Sequence, residues 1–368
     1  MSTQKLIWAL SRLAGFGIQT FKELKDRIPN FEELDASQFL EVIKSFIDPD
    51  SSVELDHILN SSEFDQELDL CHSKNIQLIT ILDSSYPKNL LSIYDPPFLL
   101  YVKGNLIPDD QFAIAVVGSR TPSMYGLRMA AQFSEGLSER GMTIVSGLAR
   151  GIDGEAHRAT LKVKGRTIAV LGCGVDIVYP KEHSKLYQEI AEHGAVMSEF
   201  PMGAPPQTYH FPKRNRIISG LSLGVLVVEA SQKSGSLITA SVAGEEGREV
   251  YAIPGAIDSV TSQGSNQLIQ NGAKLVTSVE DIFVDLKDQM KDILHPGLGQ
   301  EKKVLSLASE DPILKLLVKE PLSFDEIMLS INRDHRELYS QLMDLELNGK
   351  IKRIFGGKFV RTQELAMT

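Results

Sequence analysis

The residues best suited to chemistry lie in one short stretch, His210–Ser222, which reads HFPKRNRIISGLS. Its candidate ligand-binding residues combine a ring, an amide and three permanent cations: Phe211, Lys213, Arg214, Asn215 and Arg216. A guanidinium grips a phosphate at two points, whereas an ammonium acts as a point charge. Pro212 can start a helix, whose free N–H groups would also face an anion. The stretch therefore predicts a phosphate-binding site; the alternative is a solvated basic turn.

This basic stretch stands in an acidic chain. The 368 residues include 38 Lys and Arg against 48 Asp and Glu, a formal net charge of −10. A nucleic-acid site must therefore be a local concentration of positive charge on a surface that otherwise repels phosphate. With 42% hydrophobic and 23% charged residues, the composition predicts a soluble protein of two or three domains.

The composition also bears on location. No stretch approaches the roughly 20 apolar residues of a membrane helix, and the N-terminus lacks the pattern of a cleaved leader. Cys71 and Cys173 are far apart in sequence, which favours a reducing compartment and offers no metal-ligand spacing. We therefore predict a cytoplasmic protein without membrane association.

Strands alternate with helices from residue 98 to residue 277. Short apolar runs, of which 223–229 (LGVLVVE) is the most continuous, are separated by amphipathic helices such as 124–140. This alternation predicts a parallel sheet covered on both faces, within a core domain of residues 84–284. Ligands of such sheets bind outside the carboxyl ends of the strands.

The turns that follow these predicted strands are rich in glycine, serine and arginine. That composition suits a rim where backbone N–H groups approach phosphate. The candidate residues in these turns are Gly118, Ser119, Arg120, Arg150, Lys181, Ser234, Gly235 and Ser236. Tyr179 offers a ring for a base, and Ser234-Gly235-Ser236 directly precedes a predicted helix, where an ordinary Ser cap is the alternative.

Three other polar residues invite a catalytic interpretation. His157 is better explained as a packed or a solvated residue, and Asp153 by capping of the predicted helix that follows it. Glu229, at the end of a predicted strand, is the one carboxylate placed to serve hydrolysis, but no base or nucleophile is near it in sequence.

The flanking regions differ from this core. Residues 1–80 have helical periodicity on both sides of the Gly15-Phe16-Gly17 turn; a plain helical turn is favoured over a phosphate site there. Residues 285–311 are charged and contain Pro and Gly, which is typical of a linker. Residues 312–368 predict three helices, the third at about 336–348, and a glycine-tipped hairpin, the pattern of a winged helix. Either duplex DNA or a protein could be its partner.

The ordered motifs VVGSR, SGLARGID, TIAVLGCGVD, SEFP, FPKRNRIISGLS and SGSLITA resemble the DprA/Smf family of DNA-processing proteins. The resemblance covers about residues 86–276. It implies an extended Rossmann-like parallel sheet, an N-terminal helical domain similar to a SAM domain and a C-terminal winged-helix-like domain. It also implies a homodimer that binds single-stranded DNA and loads the RecA recombinase in natural transformation, with no catalysis and no cofactor.

The resemblance assigns roles to individual residues. Cations of the matching motifs would hold the DNA backbone: Arg120, Lys181, Lys213, Arg214 and Arg216. Gly118, Ser119 and the Ser234–Ser236 turn would approach phosphates, and Arg150 shares the rim. The chain departs from the usual family pattern at His183, where the family usually has asparagine, and at Ser265, which is often cysteine.

Two other functional classes remain open. A nucleoside-monophosphate phosphoribohydrolase similar to the LOG family would use Glu229, but that family needs a PGGxGT segment that this chain lacks. A nucleotide sensor would bind a small nucleotide in the core and read duplex DNA with the winged helix.

Overall fold

The computed structural model describes residues 2–28, 34–294 and, within 312–361, residues 312–317, 322–331, 338, 341–342, 345, 350–353 and 358–361. The chain forms two compact units, Met1–Lys287 and Asp288–Thr368. Among the described residues, no helix combines the length and apolarity needed to cross a membrane.

The first unit begins with five helices. They are α1 (Thr3–Leu10), α2 (Ile18–Arg27), α3 (Ala36–Phe46), α4 (Pro49–Asn60) and α5 (Glu63–Ser73). Side chains of Ser2, Asp35 and Asp48 cap α1, α3 and α4, whereas α2 starts at Gly17 with no side-chain cap. The apolar faces of these helices pack into the same core as the sheet that follows.

A nine-stranded sheet follows the helices. Its strands are β1 (Ile76–Thr80), β2 (Leu99–Gly104), β3 (Ala113–Val117), β4 (Thr143–Ser146), β5 (Thr167–Val170), β6 (Ala195–Ser198), β7 (Gly224–Val227), β8 (Glu249–Ala252) and β9 (Lys274–Leu275). They lie in the order β1-β2-β6-β5-β4-β3-β7-β8-β9. The seven strands β3–β9 pair in parallel, which confirms the predicted Rossmann-like core.

Two parts of the sheet differ from the prediction. The helical prediction for residues 1–80 is wrong at its end, because Ile76–Thr80 is a strand. β1 pairs antiparallel with β2, which pairs antiparallel with β6, so the sheet is mixed. Ile76, Leu78 and Ile79 are buried, so this strand adds to the core that the sheet shares with helices α1–α5, which we call the helical unit.

Helices cover both faces of the sheet and connect its strands. They are α6 (Lys88–Leu91), α7 (Met124–Glu139), α8 (Ile152–Lys162), α9 (Ser184–His193), α10 (His210–Leu221), α11 (Gly235–Glu245), α12 (Gln263–Gln270) and α13 (Val279–Leu294). The predicted linker, 285–311, begins inside α13, where Leu286 is fully buried. Residues 295–311 lie outside the described part of the chain.

The second unit contains α14 (Pro312–Leu316), β10 (Leu322–Ser323), α15 (Phe324–Ile331), β11 (Ile351–Arg353) and β12 (Lys358–Arg361). Its strands pair antiparallel in the order β10-β12-β11 around a small apolar core. β11 and β12 are therefore the paired strands of the predicted hairpin, whose glycine tip lies outside the described residues. Most of the predicted third helix lies outside the described residues.

His157 is fully buried on α8, which confirms its interpretation as a packing residue. Its Nδ1 lies 2.7 Å from Oγ1 of Thr167, and that hydroxyl donates to the carbonyl of Ile144. The ring must therefore donate from Nδ1, and Nε2 is left buried without a partner. Burial lowers the pKa of His157 to about 3.

This histidine makes stability depend on pH. In the unfolded chain His157 binds a proton near pH 6.5, whereas in the folded chain it binds one only near pH 3. The unfolding free energy therefore falls as the pH falls through this window. His157→Asn keeps a donor for Thr167 but has no group that titrates in this window. We expect the slope of its unfolding free energy against pH to be smaller than that of the wild type by up to about 1.4 kcal/mol per pH unit. Urea unfolding of both proteins between pH 7 and 4.5 tests this; equal slopes would contradict it.

Candidate nucleic-acid interface

Three loops at the carboxyl ends of β3, β4 and β5 meet the first turn of α10. Between them lies a small cavity of about 30 Å³, which we call the arginine pocket. Its wall includes Arg120 after β3, Gly147 and Arg150 after β4, Gly172 after β5, Tyr179, and Phe211 and Arg214 of α10. Because the cavity is far too small to enclose a nucleotide, a polymeric ligand would lie across its mouth.

The mouth of the arginine pocket is an aromatic surface with a cation on it. The guanidinium of Arg120 lies 5.3 Å from the ring centre of Phe211, and the ring of Tyr179 lies 5.7 Å from the same ring. Arg120 is exposed and Tyr179 is 41% exposed. The structure thus brings together Arg120, Tyr179 and Phe211, which the sequence offered as separate candidates.

Arg214 forms the floor of the pocket and is 4% exposed. Its Nη1 donates to the carbonyl oxygen of Gly147 at 2.8 Å and to that of Val170. Burial lowers the pKa of Arg214 to about 10, while the nearby charge of Asp153 opposes this shift. In the free protein Arg214 is therefore not open to a phosphate, contrary to the prediction from the sequence. Its guanidinium links α10 to the ends of β4 and β5.

Asp153 is the counter-charge to Arg214. The sequence predicted that Asp153 caps α8, which is wrong, because Gly151 occupies the cap position. The carboxylate is buried and accepts a hydrogen bond from the backbone N–H of Gly147 at 3.1 Å. Burial raises the pKa of Asp153, and the charge of Arg214 opposes this shift. The pair thus balances charge beneath the rim.

The glycines of the rim make room for side chains. A Cβ atom at Gly147 would lie 2.2 Å from Nη1 of Arg214, and one at Gly172 would lie 2.8 Å from the ring of Phe211. A Cβ atom at Gly118 would lie 2.7 Å from the side chain of Ile152. The N–H of Ser119 already donates to the carbonyl of Glu229 at 2.7 Å. The N–H of Ser119 is thus already engaged, and the phosphate contact of Gly118 stays a prediction.

The other two cations of the basic stretch face away from the arginine pocket. Arg216 contacts the carboxylates of Glu199 and Asp95, the latter at 3.1 Å, and its side chain is 13% exposed. Lys213 lies 3.4 Å from Glu199 and 5.6 Å from the ring centre of Phe200. One basic motif therefore supplies two separate sites. The sequence places Glu199 directly after β6 at the same edge of the sheet, but it was not among the candidate binding residues.

Two further predicted cations lie at the surface. Arg150 lines the arginine pocket and pairs with Glu182, and both side chains are largely exposed. That carboxylate raises the pKa of Arg150, so the guanidinium stays charged. Lys181 is exposed and follows Pro180 of the pocket wall. Lys181 therefore extends positive charge outwards from the mouth, whereas the charge of Arg150 is balanced by Glu182.

The Ser234-Gly235-Ser236 turn lies apart from the arginine pocket. Ser234 caps α11, which was the alternative to the predicted phosphate contact, with its hydroxyl 3.4 Å from the N–H of Ser236 and 2.7 Å from that residue's hydroxyl. Asn215 is buried and reaches the carbonyl of Gly235 at 3.5 Å. Asn215 thus joins α10 to α11, and both hydroxyls of the turn are engaged with each other.

Glu229 occupies the place where related folds hold a ligand. The strand order turns back between β3 and β7, and the crevice at that point is the usual nucleotide site of a doubly wound sheet. Glu229 follows β7, is 1% exposed, and accepts hydrogen bonds from the N–H and hydroxyl of Ser123, both at 2.8 Å, and from Thr261. Its carboxylate thus fills the anion site at the start of α7, a structural role.

Comparison with known families identifies the chain. Residues 77–287 match the family model of DNA recombination-mediator protein A, and residues 306–357 match the DprA winged helix domain. The chain belongs to the DprA/Smf family. The second match confirms the predicted winged helix, and the first covers the whole carboxyl edge described above.

Relatives and solved structures agree with this membership. Protein Smf of Escherichia coli is 44% identical over 79% of this chain and 79% of its own length. DNA processing protein DprA of Bacillus subtilis is 45% identical over 61% of this chain and 75% of its own. The crystal structure of DprA from Streptococcus pneumoniae is 40% identical, with a TM-score of 0.67, and covers 77% of this chain and 98% of that one.

A further neighbour is a structure of DNA processing protein A from Helicobacter pylori, described for its single-stranded DNA binding mode. It is 29% identical, has a TM-score of 0.53, and covers 59% of this chain and 98% of that one. Membership in this family of DNA-processing proteins is thus supported by both sequence and structure.

The burial of Arg214 predicts a loss of stability on its removal. Arg214→Met would leave two buried carbonyl groups without a donor and Asp153 without its counter-charge, so we expect the unfolding free energy to fall by about 3 kcal/mol. The exposed Arg120→Met is the control and should change stability by less than about 0.5 kcal/mol. Urea unfolding of the two variants measures both effects. Equal small losses would mean that Arg214 is not a structural residue.

Proposed function

We propose that this protein binds single-stranded DNA across the mouth of the arginine pocket. The observation that carries the proposal is the cluster of Arg120, Phe211 and Tyr179 at the carboxyl edge of the sheet. A cation beside exposed rings supplies the two contacts that a single strand needs, one for the phosphate and one for the face of a base. The Helicobacter pylori neighbour, described for its single-stranded DNA binding mode, supports the choice of ligand.

Selectivity for single strands follows from the same geometry. The rings of Tyr179 and Phe211 offer stacking surfaces that only unpaired bases reach, since the bases of a duplex are already stacked on each other. The permanent cations at the edge, Arg120 with Arg150 and Lys181 beside it, lie at the surface, where they would follow a sugar-phosphate backbone. The net charge of −10 on the whole chain would oppose nonspecific binding elsewhere.

The DNA-bound form would serve recombination. The family description as a recombination mediator supports the loading of the RecA recombinase onto the bound strand, and the wider proposal includes a homodimer acting in the cytoplasm during natural transformation. The role is a binding role without catalysis: Glu229, the carboxylate best placed for hydrolysis, is buried among hydroxyl donors.

Removal of the exposed guanidinium tests the phosphate contact. We expect Arg120→Gln to weaken binding of a fluorescent oligo-dT about tenfold and to reduce the slope of log affinity against log salt by about 0.7, the share of one phosphate on a single strand. Arg128→Gln, an exposed arginine on α7, is the matched control for charge. Fluorescence anisotropy at two salt concentrations, with a matched duplex alongside, gives both quantities. Equal losses in both variants, or equal binding of the duplex, would contradict the proposal.

Removal of the exposed ring tests the base contact. Tyr179→Ala should weaken oligo-dT binding by about 1–3 kcal/mol, the range for one stacked base, with little change in the salt slope because no charge is lost. Tyr125→Ala removes a ring of similar exposure, 36%, from α7 outside the arginine pocket and should leave affinity unchanged. The same anisotropy titration measures both variants. An altered salt slope in Tyr179→Ala would show that the ring acts by holding a cation and does not stack.

A further inference from the structure

The second face of α10 borders another cavity at the same edge of the sheet. This cavity, of about 440 Å³, lies between the α1–α2 turn, the segment that leads into β2, the loop after β6, and α10. We call it the junction pocket, because the helical unit and the sheet both form its wall. Its volume exceeds that of the arginine pocket by more than tenfold.

Cations from two distant parts of the chain line the junction pocket: Arg12, Lys213 and Arg216. The carboxylates Glu199 and Asp95 of the wall, together with Glu67 against Arg12, balance these charges, and Lys213 is the most exposed of the three cations. Arg12 is held in place by its ion pair with Glu67 and by the ring of Trp8, 3.9 Å from the guanidinium.

Two groups in the wall lack a partner. The ten-residue helix α2 begins at Gly17 without a side-chain acceptor for its first N–H groups, and the space around Gly17 is open on its Cβ side. Glu199 is 94% buried by its side chain, yet its Oε1 accepts no hydrogen bond. A free donor array beside a carboxylate oxygen that needs a donor matches a nucleotide, which offers a phosphate and the N–H groups of a base.

The two pockets are consecutive along the edge of the sheet. The loop after β5 lines the arginine pocket, and the loop after β6 lines the junction pocket. β5 and β6 are neighbours in the sheet, and neighbouring strands are about 4.8 Å apart. A strand of DNA that leaves the mouth of the arginine pocket in this direction therefore meets the junction pocket next.

We propose that the junction pocket is a second nucleotide subsite for the bound single strand, to which the N-terminal helical unit contributes. One phosphodiester lies against Arg12, Lys213 and the start of α2, and N–H groups of the adjoining base face Glu199. This inference rests on the proposed DNA binding of the arginine pocket, and it gives the helical unit a direct part in it.

A charge placed on the wall of the junction pocket tests the proposal. Ser11 is exposed and lines the pocket, so Ser11→Glu adds a negative charge without disturbing the core. Ser37→Glu adds the same charge to an exposed position on α3 outside the pocket wall. Full-length proteins are titrated with labelled oligo-dC of about 5 and about 12 nucleotides, and melting temperatures confirm that the variants fold.

We expect Ser11→Glu to lose about tenfold in affinity for the longer oligonucleotide and less than twofold for the shorter one, whereas Ser37→Glu loses less than twofold for both. Lys213→Gln, at a side chain that is 54% exposed, should repeat the length-dependent loss without adding a charge. If Ser11→Glu matches Ser37→Glu while the wild type binds, the subsite is absent. If the wild type binds neither oligonucleotide, the proposed function itself fails.

Discussion

A guanidinium buried at the end of two strands fixes the carboxyl edge of this sheet. Arg214 reaches from α10 to the carbonyl groups of Gly147 and Val170, which lie at the ends of β4 and β5. A buried cation without these acceptors and without Asp153 nearby would be costly, so the loops and the helix must keep this arrangement. Phe211 lies one turn before Arg214, and its ring is thereby set at the surface, where Arg120 and Tyr179 meet it.

The helical period explains how one basic motif serves two pockets. Residues three apart lie on the same side of a helix, so Phe211 pairs with Arg214 and Lys213 pairs with Arg216. The two pairs face roughly opposite directions around α10. The first closes the arginine pocket, and the second contacts Glu199 at the end of β6. A dense cluster of cations in sequence is therefore divided in space, and self-repulsion within it is reduced.

Much of the core could be predicted from the sequence, because alternating apolar strands and helices permit few parallel arrangements. That rule placed Arg120 and Arg150 on one edge. It failed at Ile76–Thr80, a strand of only five residues directly after a helix, and at the antiparallel pairing of β2, since a short apolar run carries no sign of its direction. The burial of Arg214 could not be predicted either, because a run of cations has the same sequence pattern in a solvated turn as at a buried position. The nearest signal is Gly147, whose missing side chain makes room for the guanidinium.

The position of Glu229 shows why this edge suits a polymer better than a small nucleotide. In a doubly wound sheet the crevice at the strand reversal and the helix start beside it usually take a phosphate. Here the carboxylate of Glu229 accepts two hydrogen bonds from Ser123 at that helix start, and a Cβ atom at Gly126 would lie 2.2 Å from this carboxylate. Negative charge thus fills the enclosed site. The accessible cations and rings lie further along the edge, in an open row from β3 towards β6, and an open row of contacts favours a ligand with repeated phosphates and bases.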